Sequence, residues 1–222
     1  MPPHSAAPLA SRRVLVLFAH PALARSRVNR ALVEAARRVA GVTVHDLYEA
    51  YPDFDVDVPR EQALMLEHDV VVCQHPLFWY STPALVKQWF DLVLEHGWAY
   101  GTGGDALHGT YWLQAVSTGG PLTSYAADGL NRYTLDELLR PVERTAALCG
   151  MRTLPAFRVH GTHGMRQSEI DLHAAEYARL LEWLRDAPLD VALEAGLRVG
   201  VEGLRAPATA AAGGAASERE AR

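Results

Sequence analysis

Three short segments of the sequence combine residue types that could bind a charged ligand with a flat ring. The first, residues 20–29, contains Ser26 and leads from an apolar run into a helical pattern. Unpaired backbone N–H groups at a helix start attract phosphate, and a serine hydroxyl can add a hydrogen bond. The segment therefore favours a phosphate site. The alternative is that Ser26 only caps the helix and His20 is an ordinary loop residue.

The second segment places three consecutive aromatic residues, Phe78, Trp79 and Tyr80, between Pro76 and Pro83. Three such side chains in a row cannot all point into a core. A flat ring stacked against them would explain the cluster. An oligomer interface, which also favours aromatic residues, is the alternative, and both interpretations can hold together.

The third segment, Ser117-Thr118-Gly119-Gly120, ends in paired glycines. Glycine lets the backbone come close to a ligand and leaves N–H groups free to bind it. In isolation the segment is more typical of an ordinary turn. Its position is the stronger signal, because each of the three segments follows a predicted strand.

Metal and nucleophile chemistry are disfavoured. The ten histidines include no H-x-x-x-H pair on a predicted helix, and the two cysteines are not at ligand spacing. His160 and His163 follow a strand without an obvious third ligand, so we predict no metal site. The absence of a G-x-S-x-G motif argues against an α/β-hydrolase triad.

Composition and charge exclude further classes. The 222 residues carry a net charge of −5 with no basic run, so we predict no nucleic-acid partner. Cys73 and Cys149 do not suggest a disulfide framework, which favours a reducing cytoplasm. No run approaches the roughly 18 apolar residues that span a membrane, so we expect any membrane contact to go through a protein partner.

Strand and helix patterns alternate along the chain. Apolar or alternating runs predict strands at residues 13–19, 42–47, 69–74, 111–117 and 153–160. Helical spacing predicts helices at residues 28–39, 84–94 and 135–148, and a last helix that starts at Ser168.

This alternation predicts an α/β fold, a flavodoxin-like three-layer sandwich. Its five-stranded parallel sheet has the order 2-1-3-4-5, with helices on both faces. Ligands bind beyond the carboxyl ends of such strands, near the point where the strand order reverses. We assign the domain to residues 12–186, and we expect residues 1–11 and the Ala/Gly-rich residues 187–222 to be disordered.

Several motifs occur together: His20-Pro21 with Ser26-x-x-Asn29, the run from Gln74 to Tyr80, Lys87-Gln88-Trp89-Phe90-Asp91, and Thr118-Gly119-Gly120. Their combination resembles the NAD(P)H:quinone oxidoreductase branch of flavodoxin-like proteins. Within that branch, Tyr51-Pro52-Asp53-Phe54 and Gly97-Trp98-Ala99-Tyr100-Gly101 are most similar to the ancillary oxidoreductases of bacterial glutathione-gated potassium-efflux systems.

The resemblance implies an FMN site, with FAD as an alternative, and NAD(P)H as co-substrate in ping-pong hydride transfer to a quinone. It also implies a homodimer with sites at the subunit interface. Three groups of residues would surround the cofactor: His20, Ser26, Arg27, Val28 and Asn29 at the phosphate and ribityl end, Leu77, Phe78, Trp79 and Tyr80 beside the isoalloxazine ring, and Ser117, Thr118, Gly119 and Gly120 with backbone N–H groups at its far edge.

The catalytic residues implied by the resemblance are Tyr125 and Asn131. In related mammalian-type enzymes, a Tyr–His pair beyond the Gly-Gly turn assists hydride transfer. Tyr125 falls at the tyrosine position. Asn131 stands where the histidine would be, and it can donate a hydrogen bond but cannot titrate.

Two other functions stand beside the predicted FMN-dependent NAD(P)H:quinone oxidoreductase. The chain could be a regulatory ancillary subunit of a glutathione-gated potassium-efflux antiporter, with the flavin mainly structural. It would then lie in the cytoplasm and reach the inner membrane only through that partner. A one-electron carrier flavodoxin is disfavoured, because the first segment lacks a Thr/Ser-rich phosphate pattern.

Overall fold

The structure is a computed structural model that describes residues 11–190. Residues 1–10 and 191–222, which hold most of both predicted tails, lie outside the described residues. The strands are β1 (Val14–Phe18), β2 (Val42–Asp46), β3 (Val70–Pro76), β4 (Tyr111–Ser117), β5 (Arg152–Thr153) and β6 (Phe157–Val159). The α-helices are α1 (Arg27–Ala36), α2 (Leu47–Ala50), α3 (Val58–Leu66), α4 (Ala84–Val93), α5 (Leu135–Leu148) and α6 (Gln167–Asp186).

The sheet has the order β2-β1-β3-β4-β5, with β6 also paired to β4, and every pairing is parallel. The predicted flavodoxin-like order is therefore confirmed. Register aligns Phe18 with Gln74, and Pro76 with Ser117. The segments that follow β1, β3 and β4 consequently start at the same edge of the sheet.

Side chains of the central strands are buried on both faces of the sheet. Along β1, Val14, Val16 and Phe18 pack with α1 and α6, while Leu15 and Leu17 pack on the opposite face against α4. Continuous apolar runs are what a parallel sheet covered on both faces requires. The two helical layers thus cover both faces of the sheet and leave the loops at its carboxyl edge free to form a site.

The fifth strand is interrupted, which corrects the prediction of one strand over residues 153–160. Pro155 lies between β5 and β6, and both short strands pair with β4. Proline has no N–H to donate, so the hydrogen-bonded ladder breaks there and resumes afterwards.

The last helix begins at Gln167 rather than at the predicted Ser168, because Arg166 is the residue that caps it. The Glu169 carboxylate accepts the backbone N–H of Arg166 at 2.8 Å. At the other end, Leu189 is buried in the core, so packed structure continues past the helix. No helix among residues 11–190 is long and apolar enough to cross a membrane.

Two helices between β2 and β3, α2 and α3, have no counterpart among the sequence-based predictions. They build a buried network around Glu61, whose carboxylate is fully buried. The carboxylate accepts hydrogen bonds from Tyr51 Oη at 2.5 Å, His45 Nε2 at 2.8 Å and Trp89 Nε1 at 2.8 Å. Burial raises the pKa of Glu61, but the hydrogen bonds from His45, Tyr51 and Trp89 outweigh it and leave that pKa below its ordinary value.

Candidate active site

A cavity of about 540 Å³, the main cavity, opens at the carboxyl edge of the sheet. Its size falls within the roughly 300–1,000 Å³ of small-molecule sites. The lining comes from the predicted segments and from the loop after β6: His20, Ala22, Arg25, Ser26, Arg27, Val28, Asn29, Pro76, Leu77, Phe78, Ser117, Gly119, Thr162 and His163. The structure therefore brings together the three segments that the sequence singled out.

Ser26 and Asn29 tie the start of α1 to the end of β4. Ser26 caps the helix, and its Oγ accepts the backbone N–H of Asn29 at 3.2 Å. The Asn29 side-chain amide donates to Ser26 Oγ at 3.1 Å and to Ser117 Oγ at 2.9 Å. Its Oδ1 is buried and has no hydrogen-bond partner within the described residues.

The first two backbone N–H groups of α1, those of Arg27 and Val28, have no acceptor within residues 11–190. Both residues line the main cavity. The Arg27 guanidinium bonds instead to Met165 O at 3.1 Å. Free N–H groups at the positive end of a helix dipole attract anions, so the phosphate site expected here stays a prediction.

His20 also lines the main cavity. Its Nδ1 accepts the backbone N–H of Ala22 at 3.0 Å, and its ring meets Phe78 edge-on with ring centroids 5.7 Å apart. Burial lowers the pKa of His20. A neutral imidazole that accepts through Nδ1 carries its proton on Nε2.

The aromatic segment forms a tight turn with a strained backbone. Phe78 and Ser81 exchange two backbone hydrogen bonds, both 3.0 Å long. The two residues between them, Trp79 and Tyr80, have φ angles of 49° and 65°. Bulky residues rarely adopt this left-handed conformation, which costs about 1–3 kcal/mol each. In this turn Trp79 points into solvent and is 93% exposed.

The glycine turn offers two backbone donors. Gly119 lines the main cavity, and neither its N–H nor that of Gly120 has an acceptor within the part of the chain that the structure describes. Thr118 differs from the expectation, because its N–H already donates to Val159 O at 2.8 Å. The last strand residue, Ser117, faces Asn29 through its hydroxyl.

Gly120 lines a second cavity of about 290 Å³, the side cavity, which shares Leu77 with the main cavity. Its other lining residues are Trp79, Tyr80, Ser124, Tyr125, Leu130 and Asn131. Tyr80 Oη donates to Asn131 Oδ1 at 3.4 Å. The two residues predicted to be catalytic thus lie in one cavity, adjacent to the aromatic turn.

Tyr125 packs against a histidine that the sequence analysis did not connect with it. Its ring lies 5.7 Å from that of His160, measured between centroids and tilted by 44°. Sequence reasoning also missed Arg25, Thr162 and His163 in the main cavity. The available signal was position, because residues 160–163 follow the fifth strand and must emerge at the same edge of the sheet.

The donor set of the main cavity suits an anionic ligand. Backbone N–H groups and the hydroxyls of Ser26 and Ser117 are the available donors, and they match phosphate and carbonyl oxygens. Within residues 11–190 no group of three His, Cys, Asp or Glu side chains is arranged to hold a metal ion.

Comparison with known proteins gives concordant relatives. The chain is 47% identical over 174 residues to the glutathione-regulated potassium-efflux system ancillary protein KefG of Cronobacter sakazakii, covering 78% of this chain and 93% of the relative. General stress protein 14 of Treponema denticola, solved in complex with FMN, is 40% identical with a TM-score of 0.74, covering 78% and 99% of the two chains. An NADPH-quinone reductase of P. pentosaceus is 33% identical with a TM-score of 0.69, covering 76% and 96%.

The family model described as a flavodoxin-like fold matches residues 12–181. These residues include β1 to β6 and the loops that line both cavities. The match, the strand order and the relatives agree, and this chain belongs to the flavodoxin-like family.

Proposed function

We propose that this protein is an FMN-dependent NAD(P)H:quinone oxidoreductase. One observation carries the proposal. Two pairs of residues, Arg27 with Val28 and Gly119 with Gly120, have backbone N–H groups without an acceptor in residues 11–190. They line two cavities that meet at a strained aromatic turn. Free backbone N–H groups at a helix start and in a glycine turn attract phosphate and carbonyl oxygens.

The two pairs of donors match the two ends of FMN. Ser26, Arg27 and Val28 would hold the phosphate at the start of α1. Leu77 and Phe78 would flank the flat ring, and the N–H groups of Gly119 and Gly120 would bond to its polar edge. Bound FMN would supply the chemistry, accepting two electrons from NAD(P)H and giving them to a quinone.

The protein's own contribution is orientation and proton supply. Tyr125 lies on the side cavity, beside Gly120, where its hydroxyl can bond to an acceptor oxygen. Asn131 accepts from Tyr80 through Oδ1, which leaves its NH₂ group as a donor. The exposed aromatic turn gives NAD(P)H or a quinone a flat surface on which to stack.

Purified protein provides the test. We expect it to be yellow, or to take up added FMN, and to oxidise NADH or NADPH in the presence of a quinone. The same assays with FAD and with each nucleotide identify the preferred cofactor and donor. A colourless protein that does not bind FMN would overturn the proposal.

The relation to KefG supports a second candidate function. That relative is named as an ancillary protein of a potassium-efflux system. We propose that this chain lies in the cytoplasm and reaches a membrane by binding such an efflux protein. Co-purification with the efflux protein, without quinone-reductase turnover, would favour a regulatory role over the enzymatic one.

The surface beside the side cavity supports a homodimer. Trp79 is 93% exposed and Leu130 is 87% exposed, and Leu122 and Tyr133 are also exposed. A second copy of this chain packed on this surface would bury these apolar side chains and close the cavity. Light scattering should give twice the monomer mass, and a Trp79→Asp variant should shift the mass towards that of a monomer.

A further inference from the structure

The glycine turn that carries two of the free donors is held from outside by residues His160-Gly161-Thr162-His163, which we call the 160–163 loop. Glycine adds no side-chain packing, so Gly119 and Gly120 depend on external contacts for a fixed conformation. The contacts that hold this turn therefore decide where its N–H groups point.

Backbone hydrogen bonds join residues 118–120 to the last residue of β6 and to the 160–163 loop. Thr118 N–H donates to Val159 O at 2.8 Å, and Thr162 N–H donates to Thr118 O at 3.1 Å. Gly161 N–H donates to Gly120 O at 2.9 Å. The carbonyl of Gly120 thus accepts a hydrogen bond, while the N–H groups of both glycines have no acceptor within residues 11–190.

A side-chain relay reinforces the same carbonyl. Thr118 Oγ1 donates to Gly120 O at 2.9 Å and lies 3.0 Å from His160 Nδ1. Since the hydroxyl proton is committed to the carbonyl, the imidazole must donate its own Nδ1–H to Thr118 Oγ1. The relay thus runs from His160 through Thr118 to Gly120.

His163 limits what can stand in the turn. A Cβ atom built on Gly119 would lie 2.4 Å from His163 Nε2. Any side chain at this position would therefore displace the histidine ring. The turn is shaped by two histidines, one through hydrogen bonds and one through contact.

We propose that His160 is a positioning residue that aims the free N–H groups of Gly119 and Gly120 at the bound ring through Thr118. This inference rests on the proposed FMN site and names a residue outside both cavities. Tyr125 packs against the same histidine.

The charge state of His160 suits this role. Burial lowers its pKa, and the positive charge of Arg158 and the nearby His173 act in the same direction. The imidazole is therefore neutral at pH 7 and carries one proton. The relay places that proton on Nδ1.

The test is a double-mutant cycle on the ligand-free protein, with FMN affinity read from quenching of flavin fluorescence. We expect His160→Phe and Thr118→Val each to weaken FMN binding roughly three- to tenfold, the range of one lost hydrogen bond. Because both act through one relay, the double variant should lose little more than either alone. His160→Asn, whose NH₂ group can donate to Thr118, should restore most of the affinity.

A second readout needs no ligand. In ligand-free protein, the amide NMR signals of Gly119 and Gly120 should shift or broaden in His160→Phe and return in His160→Asn. His108→Gln, at the opposite end of the sheet, is the matched histidine control. Wild-type protein that binds no FMN would end the proposed function, whereas unchanged glycine signals in His160→Phe, or additive losses in the cycle, would overturn the role of His160.

Discussion

The two ends of the sheet carry cavities of similar size but opposite character. The cavity at the amino end measures about 500 Å³, against about 540 Å³ for the main cavity at the carboxyl end. At the amino end the charged groups satisfy one another. Arg12 and Arg152 lie over the ring of Tyr111, and Asp190 bonds to both Arg152 and Tyr111.

At the carboxyl end several polar groups have no hydrogen-bond partner within residues 11–190. Arg27, Val28, Gly119 and Gly120 have free N–H groups, and Asn29 Oδ1 has no partner among the described residues. Volume therefore does not distinguish a ligand site from a structural crevice here. We propose that the free N–H groups lining the main cavity mark the ligand site, whereas the charged groups of the amino-end cavity are paired with one another.

The largest expected effect concerns a buried residue beneath the carboxyl end. His75 is fully buried, its Nε2 has no partner within residues 11–190, and burial lowers its pKa to about 4. Between pH 6.5 and 4 the unfolded chain binds a proton at this histidine and the folded chain does not. The free energy of unfolding therefore has its full value above pH 6.5, and it falls by up to roughly 3 kcal/mol as the pH drops to 4.

Chemical denaturation at several pH values measures this loss. His75→Phe should flatten the pH dependence by about one proton, and His75→Gln serves if the phenylalanine variant folds poorly. If the free energy of unfolding depends on pH in the same way in wild type and variant, His75 does not cause the loss of stability at low pH.

The next effect isolates a single free N–H group. Proline at position 27 removes the N–H of the first helical residue, and the extended backbone of Ser26 is the conformation favoured before proline. Arg27→Ala removes the side chain and keeps the N–H. We expect Arg27→Pro to bind FMN about tenfold more weakly than Arg27→Ala, with equal thermal stability.

Calorimetric titration of both variants with FMN measures the difference. Equal affinities would mean that the phosphate does not use this donor. Asp57→Ala, which loses the cap of α3 and lies far in sequence from the lining of both cavities, controls for a general loss of about 1 kcal/mol of helix capping.

A smaller effect is expected at Tyr125. Tyr125→Phe removes the hydroxyl and keeps the ring that packs on His160. We expect it to slow reduction of the FMN-bound protein by NADPH roughly fivefold, as for one lost hydrogen bond, with less change in FMN affinity. Stopped-flow absorbance measures the rate, and equal rates in both proteins would remove Tyr125 from the mechanism.

The smallest effect is expected at the amino end. Arg152→Gln breaks an ion pair with Asp190 that is partly exposed to solvent, and such pairs contribute at most about 1 kcal/mol. Thermal unfolding should change little, and FMN affinity should not change. A weaker FMN complex would contradict the assignment of this cavity as structural.

Much of the fold was predictable because the physical signal is local. The apolar runs of β1, β3 and β4 predict buried parallel strands from the local sequence alone. The ends of these strands place the three segments at one edge of the sheet. The break at Pro155 follows from its missing N–H, yet the pattern around it predicted one strand. Helix α3 was not predicted, because it buries the charged Glu61 and its apolar pattern is correspondingly weak.

The sequence predicted where the site residues lie, but it did not predict which of their polar groups have hydrogen-bond partners. Thr118 and Gly119 are neighbours in the sequence, but only the fold shows that Val159 occupies the N–H of Thr118 and leaves that of Gly119 free. The contact of Tyr125 with His160 joins residues from separate loops, so no spacing rule indicates it.

The most direct test of the account follows the backbone amides during a titration of the ligand-free protein with FMN. Saturable binding should move the amide NMR signals of Arg27, Val28, Gly119 and Gly120, which gain acceptors, while those of Asp69, Tyr111 and Arg152 at the amino end stay in place. Saturation that moves the amino-end signals instead, or no saturation at all, would contradict the claim that unpaired donors mark the site.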